Sequence, residues 1–336
     1  MTKINILDQS PVIKGSTHPE AVNQTIDLAK FGDESGYNRF WVAEHHNTKS
    51  FASASPEILM SSIASVTGNI RVGSGGVLIS HYSPFKIAEQ FNLLDSIYPG
   101  RIDLGIGRAP GGDLKILKAL RSQNEDAFEK TTELINIFKD SSAKKRLNNL
   151  IAVPEGAGIP EIWILGTSPE SAVYAAKNGL RYAFGNFIND EHMLQCFQIY
   201  YQNFQPSVFL KKPYLNLAVF AICADSESEA QRISKCSEYW LVKTFLKNEN
   251  IEFPDEETAF NYKFSAEEKM IIEFRRRSAF IGDADSVVKK MKAFLHKYAV
   301  QEITIVTIVS DHEKRKRSYS LIAERFKHDN DNKFEL

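Results

Sequence analysis

Short apolar runs rich in β-branched and aromatic residues recur along the chain, separated by longer segments with a helical pattern. Eight runs are present, at residues 4–7, 39–43, 70–79, 101–107, 161–165, 181–184, 214–223 and 302–309. Their hydrophobicity is nearly continuous, which is typical of strands buried on both faces of a parallel sheet. The pattern therefore predicts eight strands in βα units.

The intervening segments have the spacing of amphipathic helices. The clearest is 84–97, whose predicted apolar stripe consists of Phe85, Ala88, Phe91, Leu94 and Ile97. Helix starts with a capping hydroxyl are predicted at Ser55-Pro56-Glu57, Ser168-Pro169-Glu170 and Asp225-Ser226-Glu227. Eight alternating units favour an α/β fold closed into a (β/α)8 TIM barrel, and an open doubly wound sheet is the alternative.

One domain is predicted over residues 1–336, because no low-complexity linker divides the chain. Two segments interrupt the alternation. The first, near 140–158, is rich in Lys, Asn and Gly, and the second, near 246–264, is rich in Glu, Asn and Phe. Both are interpreted as insertions or loops near one end of the barrel.

Charge and composition exclude several classes of protein. The net charge is -1 and no basic stripe is interleaved with aromatic residues, so nucleic acid is not an expected partner. The basic run KRKR at 314–317 is interpreted as a solvated helix face. Three cysteines without paired spacing and the lack of a ~20-residue apolar run indicate a cytoplasmic protein with no membrane contact.

The catalytic end of a barrel lies where its strands end, and the second run ends in Glu44-His45-His46. Adjacent side chains on an extended strand point in opposite directions, and the spacing differs from H-E-x-x-H. A metal site is therefore disfavoured. An acid/base or hydrogen-bonding role for one histidine is favoured over simple packing.

Glycine marks the ends of the third and fourth runs. Residues 72–77, VGSGGV, indicate close approach of a flat ligand or a barrel bulge. Residues 105–113, GIGRAPGGD, do not complete a dinucleotide fingerprint, because proline replaces the third glycine. What remains is a glycine-rich loop with Arg108, a side chain able to clamp a phosphate.

The fifth run ends in an anion-binding pattern. Gly166, Thr167, Ser168 and Ser171 lie at a strand end and a helix start, where backbone N–H groups are available to bind a phosphate. The pattern alone is weak, and Glu170 would oppose an anion. Together with Arg108 it predicts a phosphate pocket.

In this order the residues resemble the bacterial luciferase-like flavin-dependent monooxygenase family. The matching stretches cover most of the chain: RFWVAEHH, SASPE, RVGSGGVLISHYSP, AEQFNLLDSIYPGRIDLGIGRAPGGD, WILGTSPESAVYAAKNGL and EITIVTIVSD. The resemblance implies a (β/α)8 barrel with insertions and a homodimer formed through helices of the N-terminal half. It also implies FMN or reduced FMN as the cofactor, with a deazaflavin in some members.

The resemblance also assigns roles to individual residues. His45 matches the catalytic histidine, and Glu44 and His46 would support it. Gly75-Gly76 matches a cis peptide bond behind the isoalloxazine ring. Arg108 matches a phosphate-binding arginine, and the remaining phosphate contacts match Gly166, Thr167, Ser168 and Ser171.

Two departures from the family pattern change the expected function. Gly107 replaces the reactive cysteine of light-emitting members, and FGNF at 184–187 replaces a Ser-His pair. Light emission is not expected, and the substrate pocket is expected to differ at 185–187. Phe51, Trp41, Phe187 and Phe220 are candidate walls of that pocket.

The expected activity is oxidation of a small organic substrate with O2 and reduced FMN, which a separate flavin reductase supplies because no nicotinamide fingerprint is present. The alternatives are a flavin-binding protein without turnover, a deazaflavin-dependent dehydrogenase and a metal-dependent hydrolase. A homodimer is expected through apolar helices at 56–66 and 84–97.

Overall fold

A computed structural model describes residues 2–109, 111, 114–120, 127–142 and 150–331. The strands are β1 (Lys3–Asp8), β2 (Arg39–Val42), β3 (Arg71–Ser74), β4 (Val77–Leu78), β5 (Ile102–Gly107), β6 (Glu161–Gly166), β7 (Arg181–Gly185), β8 (Leu215–Ala224), β9 (Phe280–Asp283) and β10 (Glu302–Val306).

The helices alternate with the strands. They are α1 (His18–Glu34), α2 (Pro56–Ser65), α3 (Pro84–Ile97), α4 (Leu114–Ala119), α5 (Ala127–Ser142), α6 (Pro169–Lys177), α7 (Met193–Asn203), α8 (Glu227–Leu241), α9 (Glu256–Asn261), α10 (Ala266–Arg276), α11 (Ala284–Lys297) and α12 (His312–Asp331). A 3₁₀ turn covers Ile79–His81, and a π-helical turn covers Val242–Leu246.

All strand pairs are parallel, in the order β1-β2-β3-β5-β6-β7-β8-β10, and β10 pairs back to β1. The predicted eight-stranded barrel is therefore confirmed, and the open sheet is wrong. The predicted run 70–79 is interrupted at Gly75-Gly76, and β4 continues it along β5. β9 was not predicted; it pairs with the second half of β8, beyond the barrel.

Alternate residues of each strand face opposite sides of the barrel wall. One set is apolar and packs under the helices in a single large core, with Ile6, Phe40, Leu104, Tyr182 and Ile305 as examples. The other set faces the barrel interior, where a smaller cluster contains Leu7, Trp41, Trp163, Ala183 and Val306. Both faces are buried, which explains the continuous hydrophobicity of the strands.

An ionic cluster fills the lower end of the barrel interior, which is the end at which the strands begin. It is called the "barrel plug" and is formed by Arg39, Asp103, Glu161 and Glu302. Arg39 is 1% exposed, and its guanidinium lies 2.7 Å from Asp103, 2.8 Å from Glu302 and 2.9 Å from Glu161. Burial alone would raise the pKa of the Asp103 carboxyl, but the adjacent Arg39 and Arg71 guanidinium groups lower it. The charges are paired, so the cluster tolerates burial.

Helix caps follow the sequence with one exception. Ser168 accepts a hydrogen bond from Ser171 N–H, and Ser226 accepts one from Glu229 N–H. The predicted cap at Ser55 is wrong, because its side chain makes no cap hydrogen bond with the described chain. In α3 the predicted stripe is correct at Ala88, Phe91 and Leu94, but Ile97 is 53% exposed.

The basic run 314–317 is not the solvated face that its composition indicated. Arg315 is 2% exposed and lies 2.8 Å from the buried Asp8 carboxylate. Lys316 pairs with Asp27, and Arg317 pairs with Asp225. Each cation has a carboxylate partner, so the run ties α12 to the rest of the barrel. Across the described ranges, no helix is both long and apolar enough to cross a membrane.

The two segments predicted as insertions lie in different places. Of the first, residues 143–149 fall outside the described residues. Residues 150–158 lie against α3, where Ala152 O accepts a hydrogen bond from Asn92 Nδ2. The second segment contains α9, and Phe253 within it faces the barrel interior.

Replacing Arg39 with methionine should destabilise the fold strongly, because Asp103 and Glu302 would keep buried charges without their main partner. We expect a loss of ~3–5 kcal/mol in the free energy of unfolding. The matched control is Arg317→Met, which breaks an exposed ion pair and should cost only ~0–1 kcal/mol. Denaturant unfolding measures both, and equal losses would contradict the role assigned to the plug.

Candidate active site

A cavity of ≈ 1140 Å³ opens at the carboxyl ends of the barrel strands. Ligand cavities usually measure about 300–1,000 Å³, so this one has room for two ligands. Trp41, Phe51, Phe187 and Phe220 line it, as predicted for the pocket walls. Strand residues and strand ends form much of its remaining lining, and further contributors come from residues 234–253 and 272–281, which lie outside the barrel strands.

The cavity floor contains the backbone of Gly75 and Gly76, and the peptide bond between them is cis, as the resemblance implies. A Cβ on Gly76 would lie 2.7 Å from Gly105 O, and one on Gly75 would lie 2.5 Å from a Leu7 methyl group. Glycine is thus required by packing of neighbouring strands. It also leaves bare backbone against the cavity. The interruption between β3 and β4 agrees with a local irregularity of the barrel wall, and the approach of a flat ligand stays a prediction.

Glu44 is the centre of a hydrogen-bond network at the end of β2. Its carboxylate is 3% exposed and accepts hydrogen bonds from Tyr82 Oη at 2.7 Å and from Leu78 N–H at 2.8 Å. His46 Nε2 lies 2.8 Å from the same carboxylate. Glu44 and His46 therefore brace the end of β2.

His45 points the other way, into the cavity, where its ring packs at 4.6 Å from the Phe51 ring. Its Nδ1 is buried and has no hydrogen-bond partner among the described residues. Burial, with a smaller effect of the nearby His46, lowers the pKa of His45 to about 4. At neutral pH the ring is uncharged and offers a free nitrogen to a bound molecule.

One end of the cavity can bind an anion. Arg108, Gly166, Thr167 and Ser168 line it, and Arg108 Nη2 donates to Ser168 Oγ at 3.3 Å. The Arg108 guanidinium lies 4.0 Å from the centre of the Phe128 ring. The N-terminus of α6 begins at the same point, which adds backbone donors and a positive dipole end.

The fourth predicted residue of this group lies elsewhere. Ser171 is fully buried below the helix start, and its Oγ donates to Ser168 O at 2.6 Å. It is not among the described residues that line the cavity. Glu170 does not line the cavity either; hydrogen bonds from its own backbone N–H and the Ser168 hydroxyl, and then the Arg108 charge, lower the pKa of its carboxyl.

Several contributors were missed from the sequence. Tyr82 lies in the segment SHYSP, and its contact with Glu44 depends on the turn after β4. Gly111 accepts a backbone hydrogen bond from His46 N–H at 3.1 Å. Trp240 and Arg275 reach the cavity from α8 and α10. No local motif marks Trp240 and Arg275, because their role depends on distant helices folding over the barrel mouth.

These features fit a ligand with a flat ring and a phosphate. The ring would lie on the Gly75-Gly76 backbone, within reach of the open Nδ1 of His45, and the phosphate would lie at Arg108 and Ser168. A metal site does not fit the same residues. In the described part of the chain, the cluster with metal-ligand spacing is Asp27, His312 and Glu313, and none of these lines the cavity.

Comparisons with known proteins identify the family of the chain. The model of the luciferase-like monooxygenase family matches residues 2–302. An uncharacterized protein of Bacillus subtilis (strain 168), YwcH, is 39% identical over 97% of this chain and 99% of its own. The N-acetyl-S-alkylcysteine monooxygenase of the same organism is 34% identical over 96% and 98%. The crystal structure of apo-MsnO8 has a TM-score of 0.87 at 32% identity, covering 97% and 99%.

The titration of His45 tests whether its ring is buried and neutral in the cavity. Its folded-state pKa of about 4 lies below the ordinary value of 6.5, so the unfolded chain binds more protons between these values. The stability contributed by the neutral ring should be present above about pH 6.5 and lost as the pH falls toward 4. Comparing the pH dependence of unfolding in the wild type and His45→Gln isolates this contribution.

Nuclear magnetic resonance of histidine-labelled protein measures the pKa of His45 independently. The resonance that is missing in His45→Gln is assigned to this residue. A midpoint near 6.5 in the wild type would show that the ring is solvated and would remove the argument for a buried neutral base.

Proposed function

The chain belongs to the luciferase-like monooxygenase family, and from that premise we propose that it is an FMN-dependent monooxygenase that oxidises a small organic substrate with O2. The observation that carries the proposal is a single cavity that joins an anion-binding end, a bare backbone floor and the unpaired Nδ1 of His45. Its volume accommodates a cofactor and a substrate together.

Reduced FMN, when bound, would supply the electrons that activate O2. Arg108, Thr167 and Ser168 would bind its phosphate, with Arg108 providing the charge and α6 the backbone donors. The Gly75-Gly76 backbone would support its ring. Ser171 contributes indirectly, because its hydroxyl holds the Ser168 carbonyl group and so shapes the helix start.

His45 would hold or accept a proton at Nδ1 beside the reacting molecules. Its low pKa keeps it neutral, and the Phe51 ring restricts its position. Glu44 and His46 act through the backbone, since they fix the segment that carries His45. The aromatic walls exclude water, which limits unproductive loss of the activated oxygen.

The reducing equivalents would come from a separate flavin reductase. The loop after β5 does not have the dinucleotide fingerprint that binding of a nicotinamide cofactor would require. Reduced FMN would therefore arrive by diffusion from its partner enzyme, which agrees with a cytoplasmic location.

Anaerobic titration with reduced FMN, reduced deazaflavin cofactor and riboflavin tests the cofactor assignment. We expect reduced FMN to bind, and Arg108→Gln to weaken that binding about 10- to 100-fold through loss of a charged hydrogen bond. Riboflavin, which has no phosphate, is the matched control ligand and should bind both proteins equally.

Three results would contradict this assignment. Binding of the reduced deazaflavin alone would indicate a deazaflavin-dependent dehydrogenase instead of an FMN-dependent monooxygenase. Equal weakening of FMN and riboflavin would mean that Arg108 acts on the fold. Steady NADH oxidation by the pure protein would remove the need for a reductase.

A homodimer through α2 and α3 is also proposed. These neighbouring helices expose Ile58 (67%), Leu93 (53%) and Ile97 (53%), and Leu93 and Ile97 share one face of α3. We expect Leu93→Asp to convert a dimer to a monomer in light scattering. Val208→Asp alters an apolar residue of similar exposure elsewhere and is the control. A monomeric wild type would exclude the interface.

A further inference from the structure

One wall of the cavity is built by segments outside the barrel strands. Trp240, Thr244 and Phe245 come from the end of α8 and the π-helical turn, and Ile272 and Arg275 come from α10. The wall presents apolar and aromatic patches among polar side chains. These patches are suited to the apolar body of a substrate.

The charged residues of this wall are paired, with one exception. Glu238 lies 2.8 Å from the Arg276 Nε, and Glu249 lies 2.8 Å from Lys243. Arg275 has no carboxylate within ion-pair distance among the residues that the structure describes. An arginine facing an apolar cavity without an acidic partner has most of its hydrogen-bonding capacity unused.

The position of Arg275 is nevertheless fixed. Its Nη1 donates to Ile188 O at 2.6 Å, which orients the guanidinium toward the turn that follows β7. A second link joins the same two segments, because Asn186 Nδ2 donates to Ser278 O at 3.1 Å. Loss of the Arg275 side chain would leave this second link, so its variants should fold.

We propose that Arg275 is a specificity-determining residue that binds a carboxylate of the substrate, and that the substrate is a small carboxylic acid with an apolar tail. A guanidinium held at one nitrogen still presents an edge for two parallel hydrogen bonds to a carboxylate. The tail would then extend along the aromatic wall toward His45. The inference rests on the proposed function and deepens it.

Calorimetry of acid and ester pairs with the FMN-loaded protein tests the inference. The probes are N-acetyl-S-butylcysteine and 4-phenylbutyrate, each against its methyl ester. The wild type should bind at least one acid about 10- to 100-fold more tightly than its ester. Arg275→Gln should abolish this preference, and Arg275→Lys should retain part of it because the charge remains.

Arg276→Gln is the matched control, since it removes a neighbouring cation that already has Glu238 as a partner. It should keep the preference for the acids. Equal binding of acid and ester by the wild type, binding of neither member of every pair, or an unchanged preference in Arg275→Gln would overturn the inference. FMN affinity is measured in the same samples: its loss in all proteins would instead refute the proposed function.

Discussion

The ion pairs of Arg39 hold the lower end of the barrel together, and the cavity above depends on them. The guanidinium joins β2 to β5, β6 and β10 through Asp103, Glu161 and Glu302. Arg71 adds an ion pair to Asp103 and Arg181 adds one to Glu161, so the three carboxylates have more than one cation between them. Arg39, Asp103 and Glu302 are buried, and Glu161 is partly exposed. Such a cluster adds little net stability over an apolar filling, but it is costly to break, and it fixes the positions of the four strands.

The geometry of the strands also determines where the side chains of the candidate site lie. Side chains two residues apart lie on one face, so Arg39, Trp41, Ala43 and His45 stand above one another along β2 and its extension. Trp41 donates to Asp103 at 3.0 Å and packs at 5.2 Å on Trp163, which closes the layer above the plug. Above this layer several strands carry small residues, such as Gly107, Ala183 and Ala218, which line the cavity. The cavity is thus the part of the barrel in which small residues replace the large side chains of the layers below.

The sequence predicted what depends on local pattern. Strands buried on both faces give continuous apolar runs, and strand ends collect glycine, histidine and hydroxyl residues. The barrel and the cavity-lining residues at several of its strand ends could therefore be found. The same continuity hides which alternate residues face inward. The sequence also carries a signal for the plug, because several runs begin with a charged residue, such as Arg39, Glu161 and Glu302. The short β9 and the buried Arg315 could not be predicted, because both depend on contacts with segments distant in sequence.

The cavity is divided between two parts of the fold that are held by different forces. The glycine floor, His45 and Arg108 lie at strand ends, where parallel hydrogen bonds and the plug fix their positions. The opposite wall is held largely by contacts that involve side chains, such as Trp240 Nε1 to Ser50 Oγ at 2.9 Å and Arg275 to Ile188 O. Substitutions in that wall can change its shape and charge without altering the barrel register. One barrel can therefore keep its oxygen chemistry while its added helices select different substrates.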